Sequence, residues 1–580
     1  MTTTFNFEDG MRLGASHLEA MVDQQGRTYF DVFLTNPAEA VTDWPDFIDL
    51  PARYLEAAVM VEPVLNHPVS TKSVLRKRLF SFIKPDGLAY RPDSPISKPI
   101  AELFDQARLL YMLNSFLMAD PSDKEIRSHL ENMCSGLYKK ATFIEDYAYI
   151  EKIEVYFGGT LIRSLVQAGI VLDEPRWIDF AGAISRGIVY HSEHFLPDGS
   201  FSGHVHGHLG AVAGILSYAV VSGDTRLKDW SRAVFDWSRS ISSSFGFIPE
   251  VANRKDDVVA CETCTLMDYL DLALLLGRHV DGKYWDIVEK AARNHLVESQ
   301  IRDTSWLAEK QDAADEDGII RKNLRQRLQG AFAGWSAPHA MLAYEEELWP
   351  DWIRTEEMRP RYLNKIRAVQ NCCAGGGIRA LHQVWSNITT FKDNRLDVNM
   401  LVDKAIPQAR ITSFIPFEGR ATIKPSCDCQ VRFRVSQDVQ FKDVHTTLNG
   451  RNHKATQDGA FINAGKLKDG DVLEIKFPLP SRKEDFVIGN NGFQQYRFQA
   501  EWKGDTVVGI TPDPGNAATG ISRIKNNQVK LYYGSDAPGM IYQRNSYRTC
   551  PDDLSASSPA MDTGSIDWYS LRTQGCPCFV

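Results

Sequence analysis

Residues 261–279 read CETCTLMDYLDLALLLGRH. Past the two cysteines, apolar residues recur three and four positions apart, so Thr263 to His279 is expected as a helix with a broad apolar face. Working outward, the same period covers Pro51 to Trp385, in segments of roughly 12 to 20 residues separated by short polar, Gly or Pro breaks. Ile100 to Met118, Lys124 to Lys140, Ile153 to Ala168, Trp177 to His194, Leu209 to Ser222, Leu227 to Ser243 and Tyr284 to Gln300 are the clearest neighbours. About eleven or twelve such helices with short connections pack antiparallel in sequence order, the number a toroid of helical hairpins uses. A fixed repeat length, which an extended solenoid requires, is absent.

After about Ile388 the period changes. Arg410 to Phe417, Gln430 to Val435, Val444 to Leu448, Val472 to Phe477, Tyr496 to Trp502 and Thr506 to Ile510 alternate, or are rich in β-branched and aromatic residues. LeuAsnGlyArg at 448–451 and LysAspGlyAsp at 468–471 are hairpin signals. The expected division is an N-terminal extension over 1–50, a helical domain over 51–387, a β-sandwich over 388–534 and an irregular tail over 535–580.

Composition narrows the function. With 580 residues, 43% hydrophobic and 24% charged, the chain can bury a large core, which excludes disorder as its main theme and makes a minimal binding module a poor fit. Sixty-five basic against 74 acidic residues, a net charge of −9 and no basic block argue against nucleic acid as a partner. The start, MTTTFNFEDGMRLGAS, has no basic and apolar leader, and no 18 apolar residues run together, so a cytoplasmic chain with no membrane span is expected. Ten cysteines are too few for a disulfide scaffold, which turns attention to metal ligands and catalytic thiols.

Two cysteine clusters stand inside the helical region: Cys261 and Cys264 at one helix start, and the adjacent Cys372 and Cys373 before a glycine run and another helix. A soft dication such as zinc takes four ligands from thiolates, imidazoles and carboxylates, and two close pairs from distant parts of a chain can build that tetrahedron. Spacing alone also allows a closed site of Cys261, Cys264, Cys372 and Cys373, or buried cysteines with no metal. The glycines after Cys373 lack the strand and the GKS or GKT ending of a phosphate loop, so they are expected to let a substrate approach the backbone. Arg379, in the helix that follows, is a candidate for a sugar carboxylate or a surface salt bridge.

Glu262-Thr263-Cys264 at a helix start, Cys372-Cys373 before a Gly-rich helix start, and a later sandwich with LeuAsnGly and GlyAspValLeuGluIleLysPheProLeuPro together resemble the zinc-dependent β-L-arabinofuranosidases of glycoside hydrolase family 127. The resemblance spans Ile153 to Pro480, and the ETC and vicinal-cysteine motifs are its specific part. It implies an (α/α)6 helical barrel followed by a C-terminal β-sandwich. It also implies a zinc ion on Glu262, Cys264, Cys372 and Cys373, with Cys261 a bystander and Cys372 the nucleophile of a retaining hydrolase. Glu250, which ends PheIleProGlu, corresponds to the acid/base, though twelve positions before Glu262 is a shorter gap than the family's. A histidine at a Gly-His helix start contacts sugar in family members, which points to His206 or His208, while Thr160 stands where the arabinofuranosidases carry histidine. The family's asparagine after the vicinal cysteines is also missing here.

Aromatic faces stack on sugars, which makes Tyr156, Trp335 and His339 further candidates for substrate binding. The expected partner is an oligosaccharide from which a terminal β-L-arabinofuranosyl or related sugar is released, and a homodimer is an allowed assembly. Two other readings share the helical toroid: a lyase on uronic-acid oligosaccharides using His206 or His208 with a tyrosine and a structural zinc, and a carbohydrate-binding protein without catalysis.

Overall fold

A computed structural model describes residues 6–253, 260–339, 341, 344–345, 366–488 and 496–512. The expected tail, 535–580, lies outside the described residues. The helices up to the chain's middle are α1 (Phe7–Ala20), α2 (Asp49–Leu65), α3 (Lys72–Phe80), α4 (Leu103–Ala119), α5 (Lys124–Lys140), α6 (Val155–Val171) and α7 (Pro175–Tyr190). Then come α8 (Val205–Ser222), α9 (Thr225–Ser240), α10 (Thr263–His279), α11 (Tyr284–Ala291), the short α12 (Leu324–Leu328) and α13 (Asn371–Ser386).

Two kinds of helix alternate, and burial tells them apart. In α10 every residue from Thr263 to Gly277 is buried, as a helix surrounded by others requires. In α9 only Leu227, Ser231, Val234, Phe235 and Ser238 are buried, a single stripe at spacings of three and four, and Asp224 caps its start by accepting from the amides of Arg226 and Leu227. The buried kind closes a ring in which α2 touches α4, α4 touches α6, α6 touches α8, α8 touches α10, α10 touches α13 and α13 returns to α2. Outside it, α3, α5, α7, α9 and α11 each pack on the inner helices beside them, and α1 lies across α13 and α2. This is an (α/α)6 barrel. Each outer helix returns the chain, so the N-termini of the inner helices gather at one end.

The first fifty residues are not the extension expected of them. The apolar stripe of α1, with Phe7, Met11 and Leu18, joins the barrel core and supplies the twelfth helix. Asp31–Phe33 and Glu39–Val41 pair in a five-stranded sheet whose next strand, Ile366–Gln370, leads directly into α13. A buried ion pair between Arg367 and Asp31 fixes that strand immediately before Cys372.

The β-rich part also divides differently. One sheet orders Thr389–Lys392, Arg395–Val398, Cys429–Phe433, Phe461–Leu467 and Thr456–Asp458; a six-stranded sheet faces it, running from Lys404–Ile406 to Arg451–His453, with a core of its own. Beyond Pro480, the strands Ser481–Ile488, Tyr496–Lys503 and Thr506–Pro512 form a third sheet whose Phe498, Trp502 and Ile510 sit in the barrel core instead. LeuAsnGlyArg makes the expected hairpin, with Asn449 and Gly450 both at positive φ. LysAspGlyAsp does not, because the strands on either side of it belong to different sheets. Among the described residues one helix, α8, is apolar and long enough to cross a membrane, and 78% of it is buried inside the protein.

Candidate active site

Cys264 is the second residue of α10, and Cys372 and Cys373 are the second and third of α13, so two inner-helix N-termini bring three sulfurs to one end of the barrel. The positive ends of two helix dipoles favour negative charge there. Cys264 Sγ and Cys373 Sγ are 3.7 Å apart, and Glu262 Oε1 lies 3.9 Å from Cys373 Sγ. One ligand atom from each of Glu262, Cys264, Cys372 and Cys373 falls within 4.8 Å of all the others. A disulfide would need about 2.05 Å. A tetrahedral metal with sulfur ligands at about 2.3 Å has an S–S edge of about 3.8 Å, which these thiols already match.

Exposure distinguishes the four. Cys373 is 0% and Cys264 1% exposed, whereas Glu262 is 7% and Cys372 8% exposed. Cys372 is thus the most exposed residue of the four, though still buried. The three thiols differ in acidity. Hydrogen bonds from Cys372 and Cys373, helped by the Arg53 guanidinium, hold Cys264 well below the usual thiol range. Cys372 is pushed up by the same bond to Cys264, and Cys373 is pushed up chiefly by burial. Cys261 lies outside the group. It pairs with Ser336 through backbone hydrogen bonds in both directions, and burial pushes its thiol up to about 12.

Facing the sulfurs is a set of polar side chains placed by a two-residue antiparallel pairing that joins the chain before α8 to the chain after α9. Gly203–His204 pairs with Val251–Ala252, and the amide of Val205 donates to the Glu250 carbonyl at 2.7 Å. His204 Nε2 consequently sits between two carboxylates, 3.3 Å from Glu262 Oε2 and 4.0 Å from Glu250 Oε1. Burial works against a charge on His204, but Glu262 outweighs it and the imidazole pKa is raised. Trp335 Nε1 donates to Glu250 Oε2 at 3.0 Å, so Glu250 is oriented while its side chain stays 19% exposed. His206, the second residue of α8, is held against α10, its Nδ1 2.5 Å from Asp268 Oδ2.

Not every expected contact residue belongs to this group. His208 turns away: its ring stacks flat on Phe201 at 4.3 Å, its Nδ1 donates to the His204 carbonyl, and burial lowers its pKa to about 4. His339 packs against Phe498 of the third sheet, and burial lowers its pKa to about 4 as well. Thr160 is half-buried near the start of α6, its carbonyl accepting from Ser164, and the Tyr156 side chain lies outside the described residues.

Behind the sulfurs the barrel axis is charged. Asp49 receives Arg53 and Arg108, and deeper in the barrel Asp271 receives Arg163, Arg379 and Gln383. Arg379 also donates to the Tyr111 hydroxyl at 2.9 Å and pairs with Glu56, so it is a buried structural cation and neither a surface salt bridge nor a sugar ligand. The glycine run is likewise filled by protein. A Cβ added at Gly376 would lie 3.3 Å from Cys264 Sγ, and one at Gly377 would lie 2.4 Å from the Phe332 ring. These glycines let α13 approach its neighbours closely, in place of the expected approach of substrate. Sequence reading missed His204 as the link between the carboxylates, and missed Arg53; nothing local marked either role.

No protein-family model matches the chain, and no curated protein does. Among solved structures, a GH127 β-L-arabinofuranosidase from Geobacillus stearothermophilus T6 is similar at 15% identity, TM-score 0.54, covering 86% of this chain and 80% of that one. A second GH127 β-arabinofuranosidase aligns at 14% identity and TM-score 0.53, over 86% of this chain and 79% of its own. A third, described as a glycoside hydrolase, aligns at 13% identity and TM-score 0.52, over 84% of each chain. At these identities the likeness is one of fold: an (α/α)6 barrel with β-rich domains after it.

Proposed function

We propose that this chain is a retaining glycoside hydrolase that releases a terminal β-L-arabinofuranosyl or related sugar from an oligosaccharide, with Cys372 as nucleophile and Glu250 as acid/base. The arrangement that supports this most is the Glu262, Cys264, Cys372 and Cys373 group, whose most exposed cysteine is Cys372 and whose carboxylate is joined through His204 to Glu250. The fold likeness to solved β-arabinofuranosidases points the same way. Three thiols and a carboxylate are a donor set suited to zinc, and the 3.7 Å sulfur separation fits its tetrahedron. Zinc bound there supplies the positive charge that keeps its sulfur ligands ionised near neutral pH.

Cys372 Sγ then forms a bond to the anomeric carbon as the bond from that carbon to the leaving oxygen breaks. Glu250, held by Trp335 Nε1, gives its proton to the leaving oxygen. In the second half, the Glu250 carboxylate takes a proton from water, the water oxygen bonds to the anomeric carbon, and the electron pair of the S–C bond returns to Cys372. Two displacements on one carbon retain its configuration. His206 and Trp335 are the remaining substrate contacts in this reading, and Thr160, near the start of α6, offers a glycone no imidazole donor. Reduced thiols suit a cytoplasmic location.

Metal analysis of the purified protein, combined with a panel of nitrophenyl furanosides and pyranosides, tests the proposal. Hydrolysis of pentofuranosides that is lost on zinc removal and abolished by Cys372→Ser is expected. An unsaturated, ultraviolet-absorbing product from uronate oligomers, with Cys372→Ser still active, would replace the hydrolase by a lyase.

A further inference from the structure

Four anionic ligands around one dication leave two negative charges in excess at a buried place, and a buried charge is costly unless it is paired and hydrogen-bonded. In addition to His204, which faces the Glu262 carboxylate, the structure places an arginine against the sulfurs. Arg53, on α2, is almost fully buried, and its Nη1 reaches within 3.4 Å of Cys264 Sγ. Its Nε is clamped by both oxygens of Asp49, at 3.0 and 2.8 Å, one turn earlier on the same helix. The other helix bearing ligands leaves room for it, since a Cβ at Gly375 would come within 2.9 Å of Arg53 Cβ. Arg108 offers a natural comparison: it is equally buried and also pairs with Asp49, at 3.1 Å, yet among the described residues no hydrogen bond joins it to a sulfur.

We propose that Arg53 is a positioning residue of the metal–thiolate site: it donates to the Cys264 sulfur, offsets part of the excess negative charge of the ligands, and thereby fixes Cys264 as a permanent ligand while Cys372 does the chemistry. This rests on the zinc reading given above. Asp49, by holding the guanidinium from behind, sets the angle at which its free arm meets the sulfur. A ligand-orienting hydrogen bond of this kind contributes about 10- to 100-fold in metal affinity.

The test is a competition titration of the zinc-loaded enzyme with a chromophoric chelator, on wild type, Arg53→Gln and Arg108→Gln, with circular dichroism to confirm folding. Each variant removes one cation from Asp49, so their effects on packing are similar, but only the first removes a donor from sulfur. Arg53→Gln is expected to raise the zinc dissociation constant about 10- to 100-fold, with Arg108→Gln close to wild type. Should Arg53→Gln not fold, Arg53→Lys keeps the charge near Asp49 but lacks the second N–H arm, and its zinc affinity is expected to fall below that of Arg108→Gln. Equal zinc affinity in the Arg53 and Arg108 variants, whether lowered or unchanged, overturns the proposal. A wild-type enzyme that binds no zinc overturns the functional reading itself, so the two failures are distinct.

Discussion

Two neighbouring glycines on α13 are expected to respond to the same substitution in opposite ways. Alanine in a helix interior is worth about 1 kcal/mol over glycine. At position 377 the new Cβ meets the Phe332 ring at 2.4 Å, and Phe332 is fully buried, so the ring has to retreat about 1 Å to reach ordinary contact. Overpacking of that size costs about 1–3 kcal/mol, so Gly377→Ala ends between neutral and about 2 kcal/mol destabilised. At position 376 the Cβ meets Cys264 Sγ at 3.3 Å and Met267 Sδ at 3.4 Å, and a few tenths of an ångström relieve it. The helix gain then survives, and metal-free Gly376→Ala is as stable as wild type or slightly more so. The atom that moves is a proposed zinc ligand, however, and such sites hold their distances within about 0.2 Å, so zinc binds more weakly. Urea unfolding of the metal-free proteins and a zinc titration of each measure both effects. A Gly377→Ala protein clearly more stable than wild type, or a Gly376→Ala protein with unchanged zinc affinity, would refute the packing argument.

Three further expectations concern single residues. Cys261→Ser keeps full zinc content by elemental analysis while Cys373→Ser loses it; the reverse outcome would put Cys261 in the ligand set. Trp335→Phe removes the indole N–H that donates to Glu250 Oε2, and kcat falls about tenfold, the worth of one hydrogen bond to a charged group; an unchanged kcat would remove Trp335 from the machinery. His208 is buried and neutral, with a folded pKa of about 4 against about 6.5 when unfolded. The unfolded chain therefore takes up its proton first as pH falls, and up to about 3 kcal/mol of stability is lost between about pH 6.5 and pH 4. Stability measured over that range declines less steeply in His208→Gln, and an unaltered slope would show that the ring is not buried neutral.

How much of this was legible in the chain depended on distance along it. The run of helices and the change of period after Ile388 are local patterns, and the ETC and vicinal-cysteine motifs each sit on one helix start, so all of these could be read directly. The role of α1 could not: its partner α13 begins at Asn371, and nothing near Phe7 says which groove its apolar stripe fills. The strands after Pro480 alternate in the same way whether they complete a sandwich or cover a barrel; only the burial of Phe498 and Trp502 against helices decides between the two. His204 meets Glu250 through strands of two residues each, too short to leave a periodic signal. His208 was drawn into the candidate set by its place at a Gly-His helix start, but a helix turns about 100° per residue, which sends its ring to Phe201.

The proposed covalent chemistry is tested most directly by mass spectrometry of the enzyme quenched during turnover of a slow nitrophenyl pentofuranoside, followed by peptide mapping. A pentosyl adduct on Cys372, absent from Cys372→Ser and from zinc-stripped protein, is the predicted result. Turnover accompanied by an adduct on a carboxylate, or sustained turnover by the Cys372→Ser enzyme, would contradict it.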